Sequence, residues 1–154
     1  MKLRIFKTVM TGVLCALVSM PALAQEDDGG PQTQGDDAKY LSVTYTQYKP
    51  GMREGAMEII NEHFIPATQK AGTPEPILVI HFQTGRWDVA AVWQMEGGMA
   101  DLEWYRSPNN IKWFEALAEL AGGVEEAEAI VAKYTASVAN SETDVGHHHV
   151  RDAD

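Results

Sequence analysis

The sequence has a single cysteine, few cationic residues and no long apolar run, and each shortage excludes a class of protein. Its 154 residues include 12 Lys and Arg against 22 Asp and Glu, so the formal net charge is -10. A nucleic-acid-binding protein needs a basic face to neutralise phosphates, and docking on anionic lipid needs the same sign of charge. No apolar run reaches the roughly 18 residues of a membrane span. The composition predicts one globular domain.

Residues 1–24 have the three parts of a secretory signal peptide. The positive start contains Lys2, Arg4 and Lys7. An apolar stretch follows over residues 9–18, and Ala-Leu-Ala at residues 22–24 supplies the small residues that a signal peptidase recognises. The alternative is an N-terminal membrane anchor, for which the apolar stretch is short. We therefore expect cleavage after Ala24 and a periplasmic or secreted protein with no membrane partner.

The cysteine lies inside this segment and would be removed with it. Cys15 follows Leu14, whereas a lipoprotein signal has a small residue before its lipidated cysteine. Cleavage also removes three cations and no acid, so the formal charge goes from -10 to -13. The mature chain would then have no disulfide, no cysteine nucleophile, no thiolate metal site and no iron–sulfur cluster.

Residues 25–38 are acidic, rich in glycine and without large apolar side chains. Such a segment cannot offset its own ordering entropy, so it predicts a disordered linker. The alternative is a metal-binding acidic tail, since carboxylates suit hard cations. The folded domain is predicted over residues 39–150, with residues 151–154 as a tail.

The first half of this domain predicts a strand, a helix and a hairpin. Residues 40–48 alternate Leu, Val and Tyr with Ser and Thr, which is typical of a strand with one apolar face. A helix starts near Met52 and should kink near Ile65, because Pro66 lies inside its pattern. Residues 77–95 predict a β-hairpin, and its almost continuous apolar first strand is typical of a strand covered on both faces.

The second half predicts helices and a last strand. A short helix over residues 99–105 precedes Ser107 and Pro108, which favour the N-cap and first position of the next helix. The apolar stripe of that next helix contains Ile111, Phe114, Leu117 and Ala121. A further helix over residues 124–140 and a strand over residues 143–150 complete the domain.

This order of elements is the plan of the ferredoxin-like split βαβ fold, an α+β sheet with helices on one face. The other face needs a cover, and the sequence has no internal repeat to supply one. A second copy of the same sheet is the economical solution. We therefore expect a homodimer that closes a shared barrel.

The opening half of the domain also resembles a known family. The matching residues are Tyr45-Thr-Gln-Tyr-Lys-Pro-Gly51, then Asn61-Glu-His-Phe-Ile-Pro66 in the helix, then Gly72. This pattern is similar to the NIPSNAP family of the dimeric α+β barrel superfamily, which includes the antibiotic-biosynthesis and haem-degrading monooxygenases. The resemblance covers residues 40–95 and implies the dimeric α+β barrel fold. It implies no reaction, because the superfamily shares no single catalytic set.

His81 is the strongest candidate for a catalytic residue. If Leu78 and Ile80 pack on the helices, His81 points into the barrel lumen. A histidine there can act as a general base or bind a transition metal or haem iron, although no cofactor is required. The alternative is a core histidine with both nitrogens hydrogen-bonded. His63 borders the buried helix face and is a weaker candidate.

A small-molecule pocket is predicted beside His81, because an apolar cavity with a few polar groups is the usual form of such a site. Its predicted lining is Ser42, Thr44, Val79, Trp93 and Met95. The alternative is ordinary packing between two sheets. A further aromatic cluster is predicted from Trp104, Tyr105, Trp113 and Phe114, as a pocket gate or partner contact or, alternatively, as core.

The histidine run near the end predicts a metal site. On a strand, His147 and His149 point to one side and can bind zinc or copper, with His81 or a carboxylate as third ligand. The alternative is a solvated chain end.

Three functions follow from these features. The first is an exported small-molecule-binding protein or cofactor-independent enzyme, of oxygenase or isomerase type, with its site in the lumen. The second is a structural or interaction dimer whose lumen is filled by side chains. The third is a periplasmic transition-metal binder. Fold alone does not choose among them.

Overall fold

A computed structural model describes residues 38–149. The predicted signal peptide, most of the predicted linker and the tail lie outside the described residues. The elements in chain order are β1 (Ala38–Tyr48), α1 (Arg53–Ile59), a π-helical turn (Ile60–Phe64), α2 (Ile65–Ala71), β2 (Leu78–His81), β3 (Val89–Gln94), a 3-10 helix (Gly98–Glu103), α3 (Pro108–Ala121), α4 (Val124–Ser137) and β4 (Val138–His149). In this part of the chain no helix is long and apolar enough to cross a membrane.

The four strands form one antiparallel sheet in the order β2-β3-β1-β4. Tyr45 in β1 lies opposite Ala90 in β3 and Glu142 in β4. Ile80 in the edge strand β2 lies opposite the same Ala90. This order and the helices between the strands are those of the ferredoxin-like α+β fold. The predicted fold class is confirmed, and the predicted hairpin is β2 and β3.

The structure has a π-helical turn just before Ile65, where the sequence predicts a kink or break of the first helix. The chain passes from α1 through the π-helical turn into α2, and the amide of Ile65 donates to the carbonyl of Ile60. Proline has no amide hydrogen, and π-turns are a usual local adjustment when the helical ladder is interrupted. The helix ends at Gly72, whose positive φ of 61° suits a residue without a Cβ.

The boundary between the last two elements lies earlier than the sequence predicts. The helix α4 ends at Ser137, not at residue 140, and β4 already begins at Val138. Pairing with β1 continues as far as His149 opposite Ala38. This long ladder outweighs the weak strand propensity of glycine and the polar residues, because strand propensity depends strongly on context.

Two buried clusters show which face of the sheet meets the helices. Tyr48 and Val89 from the sheet pack with Ala56 of α1, and Tyr134 of α4 packs against them. The second cluster, Leu117 with alanines of α2 and α4, holds the helices together. Opposite residues of paired strands share a face, so the face of Val89 is the helix face.

The opposite surface of the sheet is called the open face below. It carries Leu41, Val43 and Tyr45 of β1, Leu78 and Ile80 of β2, and Ala90 and Val92 of β3. The prediction that the first hairpin strand is covered on both faces is wrong for the single chain, because β2 is an edge strand: Leu78 is 51% exposed and Ile80 40% exposed.

Candidate functional site

The open face carries the apolar residues of β1, and the helix face carries its small polar ones. Leu41, Val43 and Tyr45 lie on the open face, while Ser42 and Thr44 alternate with them. Apolar alternation normally marks the side of a strand that faces a core. Here the helices cover the more polar side of β1, so its apolar side has no helical cover among the described residues.

One end of the open face carries four side chains in mutual contact, called the Arg86 cluster below. The Trp87 ring lies 5.7 Å from the Tyr45 ring, centroid to centroid, and the Arg86 guanidinium carbon lies 4.4 Å from the Trp87 ring centre. Arg86 Nη2 donates to Glu142 Oε1 at 3.1 Å. Because Glu142 lies opposite Tyr45 in the sheet, the cluster spans β1 and β4.

His81 does not lie on the open face. It is opposite Val89, which packs with Ala56 of α1, so His81 lies on the helix face, exposed at the end of an edge strand. The expectation that Leu78 and Ile80 pack on the helices is therefore wrong. Val89 packs on the helices, and it shares its face with His81 and not with Ile80. A catalytic role for His81 stays a prediction, but His81 would not lie in a lumen formed by the open faces.

The five predicted pocket residues lie on one face, as expected, but it is the helix face. Ser42 is opposite Trp93, and Thr44 and Val79 both lie opposite Ala91. Met95 follows on the same side and is buried, with its amide donating to the Tyr40 carbonyl. They cannot line a lumen on the open face, and their binding of a ligand stays a prediction.

The terminal histidines lie near each other but not near His81. The rings of His147 and His149 are 5.1 Å apart, and His147 lies 5.9 Å from Tyr40. β4 and β2 are opposite edges of the sheet, so three strand spacings, about 14 Å, separate them. His81 therefore cannot be a third ligand, and Glu142 lies on the other face.

Within residues 38–149, no group of three or more His, Cys, Asp or Glu side chains is placed to hold a metal ion. A site of two imidazoles from His147 and His149 stays a prediction.

The predicted aromatic cluster is divided between two places. Trp113 packs edge-on against Phe64 at 5.2 Å, within the helical layer, and Phe114 packs against the same core. Trp104 and Tyr105 are exposed, because they precede the Ser107 cap that redirects the chain into α3. The four residues therefore do not form one gate. His63 is half-buried in the π-helical turn.

Two surface cavities do not include the apolar residues of the open face. An open groove of about 680 Å³ between α3 and α4 includes Phe114 and Glu128, with Arg106 over the Phe114 ring at 5.7 Å. A smaller cavity of about 390 Å³ is lined by residues that include Glu96, Asp101 and Trp104. Neither cavity therefore bears on whether a lumen between two open faces is filled by side chains.

Asp88 and Tyr48 are residues whose roles the sequence did not indicate. The Asp88 carboxylate accepts a hydrogen bond from the Tyr48 amide at 2.8 Å. Burial, and then the hydrogen bond with the Tyr134 hydroxyl at 3.5 Å, raise the pKa of Tyr48 well above its usual value. The phenol therefore stays neutral where the sheet meets the helices, which is a structural role.

Comparison with known proteins gives neighbours in fold only. No family model matches the chain, and no curated protein matches it. A NIPSNAP family protein of unknown function from Agrobacterium tumefaciens strain C58 is similar in structure, with a TM-score of 0.49 and 10% identity over 75% of this chain and 92% of that one.

A second crystal structure of that protein has a TM-score of 0.46 at 10% identity, covering 70% of this chain and 90% of that one. Another NIPSNAP family protein from the same organism has a TM-score of 0.45 at 14% identity, with the same coverage of both chains. All three of these structures are of NIPSNAP family proteins, and what this chain shares with them is the fold.

Proposed function

We propose that the protein is an exported homodimer that binds a small molecule between the open faces of two copies. The observation that carries this proposal is the reversed polarity of β1. Its Leu41, Val43 and Tyr45 side lacks a helical cover, whereas its Ser42 and Thr44 side lies on the helix face. Contiguous exposed apolar surface marks an interaction site, and a second sheet is the cover that fits a sheet face.

The acidic residues of β4 on the same face favour a lumen with a ligand over a lumen filled by side chains. Glu142 and Asp144 lie opposite Tyr45 and Val43 on the open face. Glu142 is already paired with Arg86, but covering Asp144 with a second apolar sheet would bury a charge for which the described residues show no ion pair. Buried charges are stable only when they are paired and hydrogen-bonded. A space that holds water or a polar ligand group beside them avoids that penalty.

The dimer is tested by two substitutions on one strand. Ile80→Lys puts a charge on the open face, and Val79→Lys puts the same charge on the helix face. The two native side chains have similar exposure, 40% and 43%, so they form a matched pair. We expect sedimentation equilibrium to give a monomer for Ile80→Lys and a dimer for Val79→Lys. A monomeric parent, or two dimeric variants, would contradict the proposal.

The ligand is tested by native mass spectrometry of the chain purified from the periplasm without added metal. The mass of the denatured chain shows whether export removed residues 1–24. A native dimer with extra mass that denaturation releases supports the binding function. A bare dimer supports the alternative, an interaction dimer with a filled lumen.

A further inference from the structure

We propose that the Arg86 cluster recognises the carboxylate of a planar aromatic ligand. This inference rests on the proposed function, because it concerns the ligand held between the open faces. It assigns a chemical class to that ligand and a specificity role to Arg86.

The position of Arg86 makes it part of the open face. It belongs to the turn between β2 and β3, yet its guanidinium reaches Glu142 in β4, two strands away from β3. The side chain therefore crosses β1, where Trp87 and Tyr45 support it. A cation that lies across the strand of Tyr45 is part of the open face and is covered when that face is covered.

Arg86 has more hydrogen-bond donors than the described residues satisfy. A guanidinium presents a fork of N–H donors that matches a carboxylate. Residues 38–149 supply one acceptor, Glu142 Oε1, and the arginine side chain is 54% exposed, so water can meet its other donors. A second copy over this face would remove that water. An anionic group on the ligand would then satisfy the remaining donors with charge-assisted hydrogen bonds.

The two aromatic rings of the Arg86 cluster indicate the chemistry of the rest of the ligand. Tyr45 and Trp87 have ring planes that differ by 35°, and Tyr45 shares its face with the exposed Ile80, on the other side of the buried Ala90. Aromatic rings prefer offset or edge contacts with other rings. A flat apolar group thus fits beside the two rings, with its carboxylate at Arg86.

Replacing Glu142 should change the affinity for an anion in the opposite direction to replacing Arg86. Its carboxylate occupies one end of the guanidinium, so it competes with an incoming anion and repels it. Glu142→Gln removes the charge and keeps the shape. That variant should therefore bind an anionic ligand more tightly than the parent does.

The experiment compares 2-naphthoate with its neutral analogue 2-naphthamide. Dissociation constants are measured by calorimetry for the parent, Arg86→Gln and Glu142→Gln, and the oligomeric state is measured in the same samples. We expect the parent to prefer the acid by about tenfold, the typical effect of one charge-assisted pair. Arg86→Gln should lose this preference, and Glu142→Gln should increase it.

Arg106→Gln is the matched control, because Arg106 also lies over an aromatic ring but belongs to the groove between α3 and α4. It should keep the preference for the acid. A dimeric parent that binds neither probe, or that binds both equally, overturns the inference and leaves the dimer intact. A monomeric parent overturns the proposed function itself. A monomeric Arg86→Gln assigns the cluster to the contact between copies and overturns the ligand role.

Discussion

Truncation of Leu117 tests the helical layer on which the sheet depends. Leu117 is fully buried in α3, between Ala67 of α2 and Ala127 of α4. Leu117→Ala removes its apolar transfer free energy and leaves a cavity. Ala67 and Ala127 have no side-chain freedom with which to fill that cavity, so only the larger side chains around them, such as Phe114 and Val131, could close part of it. We therefore expect a loss of about 3 kcal/mol in the free energy of unfolding, within the range of about 2 to 5 kcal/mol for such truncations.

Leu120→Ala is the matched control for this experiment. Leu120 lies on the same helix and is 51% exposed, and the gain in helix propensity from leucine to alanine is the same for both variants. We expect the control to change stability by less than about 0.5 kcal/mol.

The assay is urea denaturation followed by circular dichroism at one fixed protein concentration, because dimer formation makes stability depend on concentration. Equal losses in the two variants would refute the reasoning, as would a loss below about 1 kcal/mol at Leu117.

Three further outcomes are expected. Ser107→Ala should lower the urea-measured stability by about 1 kcal/mol, because the Ser107 hydroxyl accepts the Asn110 amide at 3.1 Å. Burial raises the pKa of Tyr48, so the unfolded chain ionises first and stability should fall as pH rises past about 10; Tyr48→Phe should flatten this fall in denaturation curves at several alkaline pH values. For the proposed pair of His147 and His149, zinc calorimetry at neutral pH should show weak binding that the double alanine variant loses, and no heat in the parent would remove the metal function.

Local signals explain most of the elements that the sequence predicted. The alternation in β1, the proline in the first helix and the Ser107–Pro108 pair each act within a few residues, through side-chain direction, a missing amide hydrogen and a cap. The boundary between α4 and β4 was missed because it depends on pairing with β1, which is distant in the sequence.

The choice of sheet face could not be read from the hairpin alone. Its first strand is apolar on both sides, so its alternation does not say whether Leu78 and Ile80 or Val79 and His81 meet the helices. The contact of Val89 with Ala56 decides it, and this contact joins residues far apart in the chain. A shift of one residue in register would exchange the two faces, so every predicted lumen residue depended on this one choice.

The same choice changes the chemistry that a closed lumen would contain. With the faces as the structure has them, a lumen between two open faces would lack His81 and would contain Arg86, Trp87 and Tyr45. An imidazole can accept a proton near neutral pH, whereas a guanidinium stays charged and holds an anion. The proposed lumen would thus suit binding of an acid better than proton abstraction, and the preference for 2-naphthoate over 2-naphthamide measures whether it does.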